Sequence, residues 1–234
     1  MKGKTVLLII TLSFLITLPL VAQEGERERT VEELYLENID LQILREQAFS
    51  DDRDMKLTTL DQLEELIEEG NATEGHGFIM EFLSMEGINR RVREKGRLIN
   101  YFPEVRRRAA NLLGRMTGEQ AKINAKNALL TVLVTDDETM VMAEAAYALG
   151  MLGLNEGNEV VSALTYTLAR QDPDKPDGNL AYAVCLALEK IARANNGIKD
   201  PEAYRTLVRI AQGPYIKTVK RKALQTLDEM RKYQ

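Results

Sequence analysis

His76 and Cys185 are the sole histidine and the sole cysteine of this 234-residue chain. A metal centre needs several ligands at fixed spacing, and acid–base chemistry needs a second group within reach. Neither residue has such a partner in the sequence. His76 lies in Thr73-Glu-Gly-His-Gly, between helical stretches, and reads as an exposed histidine of a loop or helix start. Cys185 stands beside Val184 inside a helical stretch, where a buried thiol behaves as a small apolar side chain. No activating base is identifiable beside it. Asp172-Pro-Asp-Lys-Pro-Asp177 gathers three carboxylates, yet it lacks the alternating ligands, mid-loop glycine and closing glutamate of a calcium loop. Its prolines make it a stiff turn between helices. Met140, Met142 and Met151 read as core packing rather than a methionine-rich groove. Asn71-Ala-Thr73 matches a glycosylation sequon, a single match of little weight. No catalytic, cofactor-binding or metal-ligating residue is therefore assigned, no cofactor is expected, and the chain reads as non-enzymatic.

Charge is a stronger signal than chemistry. Residues 23–74 carry 17 acidic and 5 basic side chains, a net of -12. Residues 90–108 carry 8 basic side chains against Glu94 and Glu104, a net of +6. Arg90, Arg91, Arg93 and Arg97 belong to this basic stretch, together with Lys95. Two readings stand side by side. The cations could meet an anionic partner, or they could pair with the chain's own acidic helices. The overall formal charge of -5 argues against a nucleic-acid binder, whose affinity comes largely from neutralising phosphates.

The elements that must position these residues are helices. Val105-Arg-Arg-Arg-Ala-Ala-Asn-Leu-Leu-Gly-Arg-Met116 aligns with Val141-Met-Ala-Glu-Ala-Ala-Tyr-Ala-Leu-Gly-Met-Leu152 at an offset of 36, with five identities. A third copy follows 39 residues on (Leu180, Val184, Ala187, Leu188, Ile191), and a fourth after another 39 (Val219, Ala223, Leu227, Met230). The apolar positions within each copy form the stripe of an amphipathic helix. Second helices are expected over Glu119–Val134, Glu159–Arg170 and Pro201–Gln212, separated from the first by Gly-, Asn-, Asp- and Pro-rich breaks. Upstream, Thr30–Phe49 reads as a helix capped by Thr30 and Glu33, Asp54–Glu69 as a second, and Phe78–Met85 as its partner in a degenerate repeat. Gly87–Phe102 would be an insertion, and no stretch shows the alternation of a strand.

Pro103-x-Val105-Arg106-x-x-Ala109-x-x-x-Leu113-Gly114 resembles the first helix of a HEAT repeat, in the short bacterial form found in phycobilin-lyase-type proteins. The resemblance covers about residues 103–234. Copies three and four lack the glycine, with Glu189 and Lys190 standing in copy three, a change at the helix ends rather than in the stripe. The resemblance implies an all-α solenoid of stacked helix pairs whose second helices line a concave face. Their non-core positions are Lys122 and Lys126, then Ser162, Tyr166 and Arg170, then Arg205, Arg209 and Gln212. Each set has helical i, i+3 or i+4 spacing, so each lies on one side of its helix. Such a basic stripe would suit an acidic peptide or helix. The competing reading is a solvated face.

Residues 1–22 are a separate object. Lys2 and Lys4 precede an apolar run from Val6 to Leu18, Pro19 breaks it, and Ala22 offers a small residue for cleavage. This is a secretory leader. The rival, an uncleaved anchor over Val6–Ala22, is short for a hydrocarbon layer of ~30 Å. No cysteine stands near the cleavage point to take a lipid, and loss of Lys2 and Lys4 takes the charge from -5 to -7. The chain thus divides into a leader (1–22), an acidic helical region with a basic insertion (23–102) and HEAT-like repeats (103–234). The expected protein is an exported, bacterial periplasmic scaffold or adaptor, binding another protein, not nucleic acid, and without a transmembrane span once cleaved. The alternatives are an enzyme-assisting protein of lyase-like type and a structural subunit of an envelope machine. Oligomeric state is left open by the sequence.

Overall fold

The computed structural model describes the backbone of residues 31–233 and the side chains of residues 39–233. The leader over 1–22 and the Thr30 cap lie outside the described residues. The chain divides into two units, residues 1–37 and residues 38–234. The described part of the first is the opening turns of helix α1 (Val31–Phe49). The second holds the rest of α1, helices α2 (Arg53–Glu68) and α3 (Glu74–Ser84), a hairpin of β1 (Arg93–Glu94) and β2 (Arg97–Leu98), and helices α4 (Pro103–Leu113), α5 (Glu119–Thr135), α6 (Thr139–Leu152), α7 (Glu159–Ala169), α8 (Gly178–Ala194), α9 (Pro201–Gln212) and α10 (Lys217–Arg231).

Local chemistry sets the helix ends. Asp52 accepts bonds from the backbone N–H of Asp54 (2.7 Å) and Met55 (3.2 Å), opening α2. Asp177 caps α8 through Leu180 N–H at 2.9 Å, and Asp200 caps α9 through Glu202 N–H at 2.8 Å. Each such cap satisfies an amide left over at a helix start, contributing about 1 kcal/mol. Pro103 and Pro201 occupy first-turn positions, where a missing N–H costs nothing. The Asp172–Asp177 run is the turn that delivers the Asp177 cap, as its prolines suggest.

The helices form two layers. The first holds α2, α4, α6, α8 and α10, each packed on the next; the second holds α3, α5, α7 and α9 in the same way. Between the layers runs one apolar core from Leu44 to Met230, built from the Leu, Ala, Val and Ile stripes read from the repeats. A fully buried leucine here, such as Leu113, Leu149 or Leu188, contributes roughly 1.5–3 kcal/mol. The pair α2–α3 occupies the same two layers as the pairs after it.

The repeat glycine is a spacing device. A Cβ on Gly150 would sit 2.5 Å from Ala187 Cα, and one on Gly114 would sit 2.8 Å from Ala148 Cα. Backbone against backbone lets neighbouring first-layer helices close up. In copy three the aligned position is Glu189, inside α8 rather than at its end, and it reaches across to Lys222 of α10. An ion pair replaces close approach there.

Two expectations change. The insertion is not strandless: β1 and β2 pair antiparallel, with Arg93 opposite Leu98 and Glu94 opposite Arg97. Lys95 and Gly96 both have positive φ (48° and 81°), the signature of a two-residue type I′ hairpin turn. Two-residue strands are too short to show alternation. Met140 and Met151 are also exposed at 45 % each, not core, while Met142 is half-buried against it. Their helix buries Val141, Ala145, Ala146, Ala148 and Leu149, and Met140 and Met151 fall outside that stripe.

Candidate functional site

At the junction between α3 and α4, charged groups are buried where apolar ones would be expected. Arg106 is 0 % exposed and donates to Asp136 in a bidentate pair, Nε to Oδ2 at 2.7 Å and Nη2 to Oδ1 at 3.0 Å. Its Nη1 donates to the Glu86 carbonyl at 3.2 Å, and its guanidinium lies 4.6 Å from the Tyr101 ring centroid. Lys56 donates to Glu86 Oε2 at 2.8 Å and to the Ala48 carbonyl at 2.7 Å. Asn100 donates to Glu86 Oε1 (3.0 Å) and the Arg90 carbonyl (2.6 Å), and its Oδ1 accepts Val92 N–H (2.8 Å). Every buried charge is thus paired and further hydrogen-bonded, the condition for burying it at all.

This network fastens the insertion to the stack. Gly87 has φ +72, and a Cβ there would strike the Asn100 carbonyl, so the turn leaving α3 closes against the hairpin's far end. Tyr101 donates its hydroxyl between Asp137 (2.8 Å) and Glu138 (2.9 Å). Burial, and then those two carboxylates, push its phenol up to about 12. Sequence reasoning missed Lys56, Glu86, Asn100, Arg106 and Asp136. A signal existed for two: Arg106 shares the stripe of Ala109, Ala110 and Leu113, and Lys56 that of Leu60 and Leu63.

The basic side chains from Arg90 to Arg115 differ in what they meet. Arg108 pairs with Asp61 and Glu64, and Arg115 with Glu64 and Glu68, joining α4 to α2. Hydrogen bonds from Arg108 and Arg115 hold the Glu64 carboxyl below its ordinary range. Here the cations meet the chain's own acidic helix. On the hairpin, by contrast, Arg90, Arg93, Lys95 and Arg97 are exposed, with no carboxylate in ion-pairing reach among the described residues. Arg91 reaches Asp137 only at 3.9 Å.

The second-layer stripe is less basic than its sequence. Lys126 pairs with Glu159 of α7 at 2.9 Å, and Arg205 and Arg209 both pair with Glu202 on their own helix. Arg170 lies over the Tyr166 ring at 5.5 Å, and Lys122 is half-buried. Exposed apolar side chains punctuate this layer: Phe78 and Phe82 on α3, Val134 on α5, Tyr166 on α7 and Val208 on α9.

The two lone reactive residues are structural. Cys185 is fully buried, and burial pushes its thiol up to about 12, far from a nucleophile's range. His76 begins α3 as expected, but it is buried rather than exposed. Its Nδ1 accepts the Thr73 backbone N–H at 2.9 Å, which ties the ring down over the core. Among the described residues no cluster of three or more His, Cys, Asp and Glu could hold a metal ion.

Two stacked layers of helices, paired in sequence and joined by short turns, define an α-solenoid. Residues 97–176 match the family model of HEAT repeats. HEAT repeats generally mediate protein–protein interaction, so a protein partner fits this chain. No curated protein and no solved structure matches it. No helix of the described residues is long and apolar enough to cross a membrane.

Proposed function

We propose that this protein is an exported, non-catalytic scaffold of the cell envelope, holding an acidic partner protein on the second layer and the basic hairpin. One observation carries the reading. The outer side of the first layer is laced from helix to helix, through Glu64–Arg108, Asn111–Glu144, Lys190 on the Tyr147 ring, and Glu189–Lys222. Both layers expose apolar side chains, Met55, Met140, Met151 and Leu224 on the first and Phe78, Tyr166 and Val208 on the second, but among the described residues the second has one such link, Lys126–Glu159, and its exposed groups include aromatics. A surface that satisfies itself has little to offer a partner, whereas exposed aromatics beside arginines are what interface hot spots are made of. The leader pattern over 1–22 supports export.

The test is site-specific photo-cross-linking in the native host, with the cross-linker at position 166 on α7 or at exposed position 225 on α10. A single adduct from position 166 and none from 225, recovered in the envelope fraction, is the expected result. Equal adducts from both positions, or a turnover abolished by one polar substitution, would sink the reading.

A further inference from the structure

A cleft of about 320 Å³ lies between the α1–α2 turn, the end of α3 and the root of the hairpin. Phe49 and Phe82 form its aromatic wall, edge to face with centroids 4.2 Å apart; both are more than a third exposed, with Arg45 over the Phe49 ring at 5.5 Å and Lys56 over the Phe82 ring at 5.4 Å. Met85 also lines it. Its polar part is the buried Lys56, Glu86 and Asn100, all engaged with one another through Glu86, with exposed Asp51 and Asn89 at its rim. Arg90 and Val92 line the side from which the hairpin departs, and beyond them stand Arg93, Lys95 and Arg97. Apolar wall, rigid polar floor and unpaired cations therefore share one edge of the molecule.

Three features select the occupant. The cations here lack carboxylate partners, although the chain as a whole is acidic at -5 and pairs Arg106, Arg108 and Arg115 internally. The cleft, at about 320 Å³, is the size for a side chain and its flanks rather than a folded surface. The floor is held by buried hydrogen bonds, so the cleft is formed before anything binds, which spares the ordering cost of a mobile loop. The geometry points to this cleft as the recognition site for a short acidic segment of a partner protein, one carrying an aromatic or large aliphatic anchor. The anchor packs on Phe49 and Phe82, and flanking carboxylates meet Arg90, Arg93 and Arg97. This rests on the scaffold reading and specifies the partner's chemistry at one of its two surfaces.

Selection of phage-displayed random short peptides on the full chain tests it. Enriched peptides should combine several Asp or Glu with one large apolar residue. They should lose about tenfold or more in affinity against an Arg90→Glu/Arg93→Glu chain, whose changes are exposed and leave the melting temperature in place. A Phe49→Ser chain should lose binding to the anchored peptides but not to their anchor-free versions. Neutral or basic winners, no enrichment over a blank surface, or unchanged affinity for the double variant would overturn the assignment. So would binding of the wild-type chain, but not the double variant, to phosphatidylglycerol vesicles in the absence of any peptide enrichment, which would assign the cations to lipid. Failure here with a persistent cross-link from position 166 removes the cleft and keeps the scaffold. Loss of the cross-link removes the scaffold itself.

Discussion

The first and second helical layers both expose apolar side chains, yet they bridge their outer sides to different extents. First-layer helices approach backbone to backbone at Gly114 and Gly150 and are then bridged on the outside by Glu64, Glu144 and Glu189. Second-layer helices are bridged once, and their outward side chains include Phe78, Tyr166 and Val208. Side chains that pair with a neighbouring repeat rigidify the stack and withdraw from solvent. Those left unpaired are the ones a ligand can use. The division teaches that in a solenoid, whose repeats contact only their neighbours, stability and recognition can be assigned to separate layers.

That contrast can be broken most severely where the layers are tied together. Arg106→Ala should cost about 3–5 kcal/mol, because it leaves Asp136 charged and buried without its partner. Urea unfolding measures this, and a loss below about 1 kcal/mol would mean the pair is not the tie between α4 and the α5–α6 turn. Next comes spacing within the first layer. Gly150→Val should cost about 1–3 kcal/mol by forcing α6 away from Ala187, while Ala169→Val on the exposed side of the second layer should cost far less. Equal losses would erase the distinction between the layers.

The outer bridges are a smaller effect. Glu189→Ala should cost about 1 kcal/mol or less, since it removes a part-buried pair with Lys222 and an exposed one with Arg193. Glu64 offers the pH counterpart. Its folded carboxyl is held below the ordinary range by Arg108 and Arg115, so its contribution is fully present above the unfolded carboxylate pKa and disappears as pH falls through the folded one. Glu64→Gln should therefore be less stable than wild type at neutral pH and converge with it in acid. Parallel pH profiles for the two chains would rule out this bridge as a contributor. The smallest effect on stability is expected from Tyr166→Ala, within about 0.5 kcal/mol, although it should abolish partner capture. A large stability loss would return Tyr166 to the structural side of the comparison.

Much of this was legible in the sequence. The second helices end within a residue of their expected bounds, because the breaks at Gly118 and Asn158 and the Asp200 cap, Pro201 start and Gly213 stop of α9 act locally. Cys185 in the core followed from helical periodicity. His76 stands at a helix start as its sequence suggests, but its burial is not legible there, because the ring is held inward by its Nδ1 bond to Thr73. The basic insertion was visible as charge. Its hairpin was not, because two strands of two residues carry no period.

Periodicity, repeat offset and capping chemistry determined the helices, their pairing and the all-α solenoid, since each depends on residues within a turn or a repeat of one another. Which arginines are spent on the chain's own carboxylates and which face outward depends on contacts across 30 to 51 positions, such as Arg106 with Asp136 and Arg115 with Glu64. The cleft beside the hairpin likewise joins Phe49, Phe82 and Arg90 from three separate stretches. Pairing of that range is set by how the layers stack, and only the tertiary structure decides it.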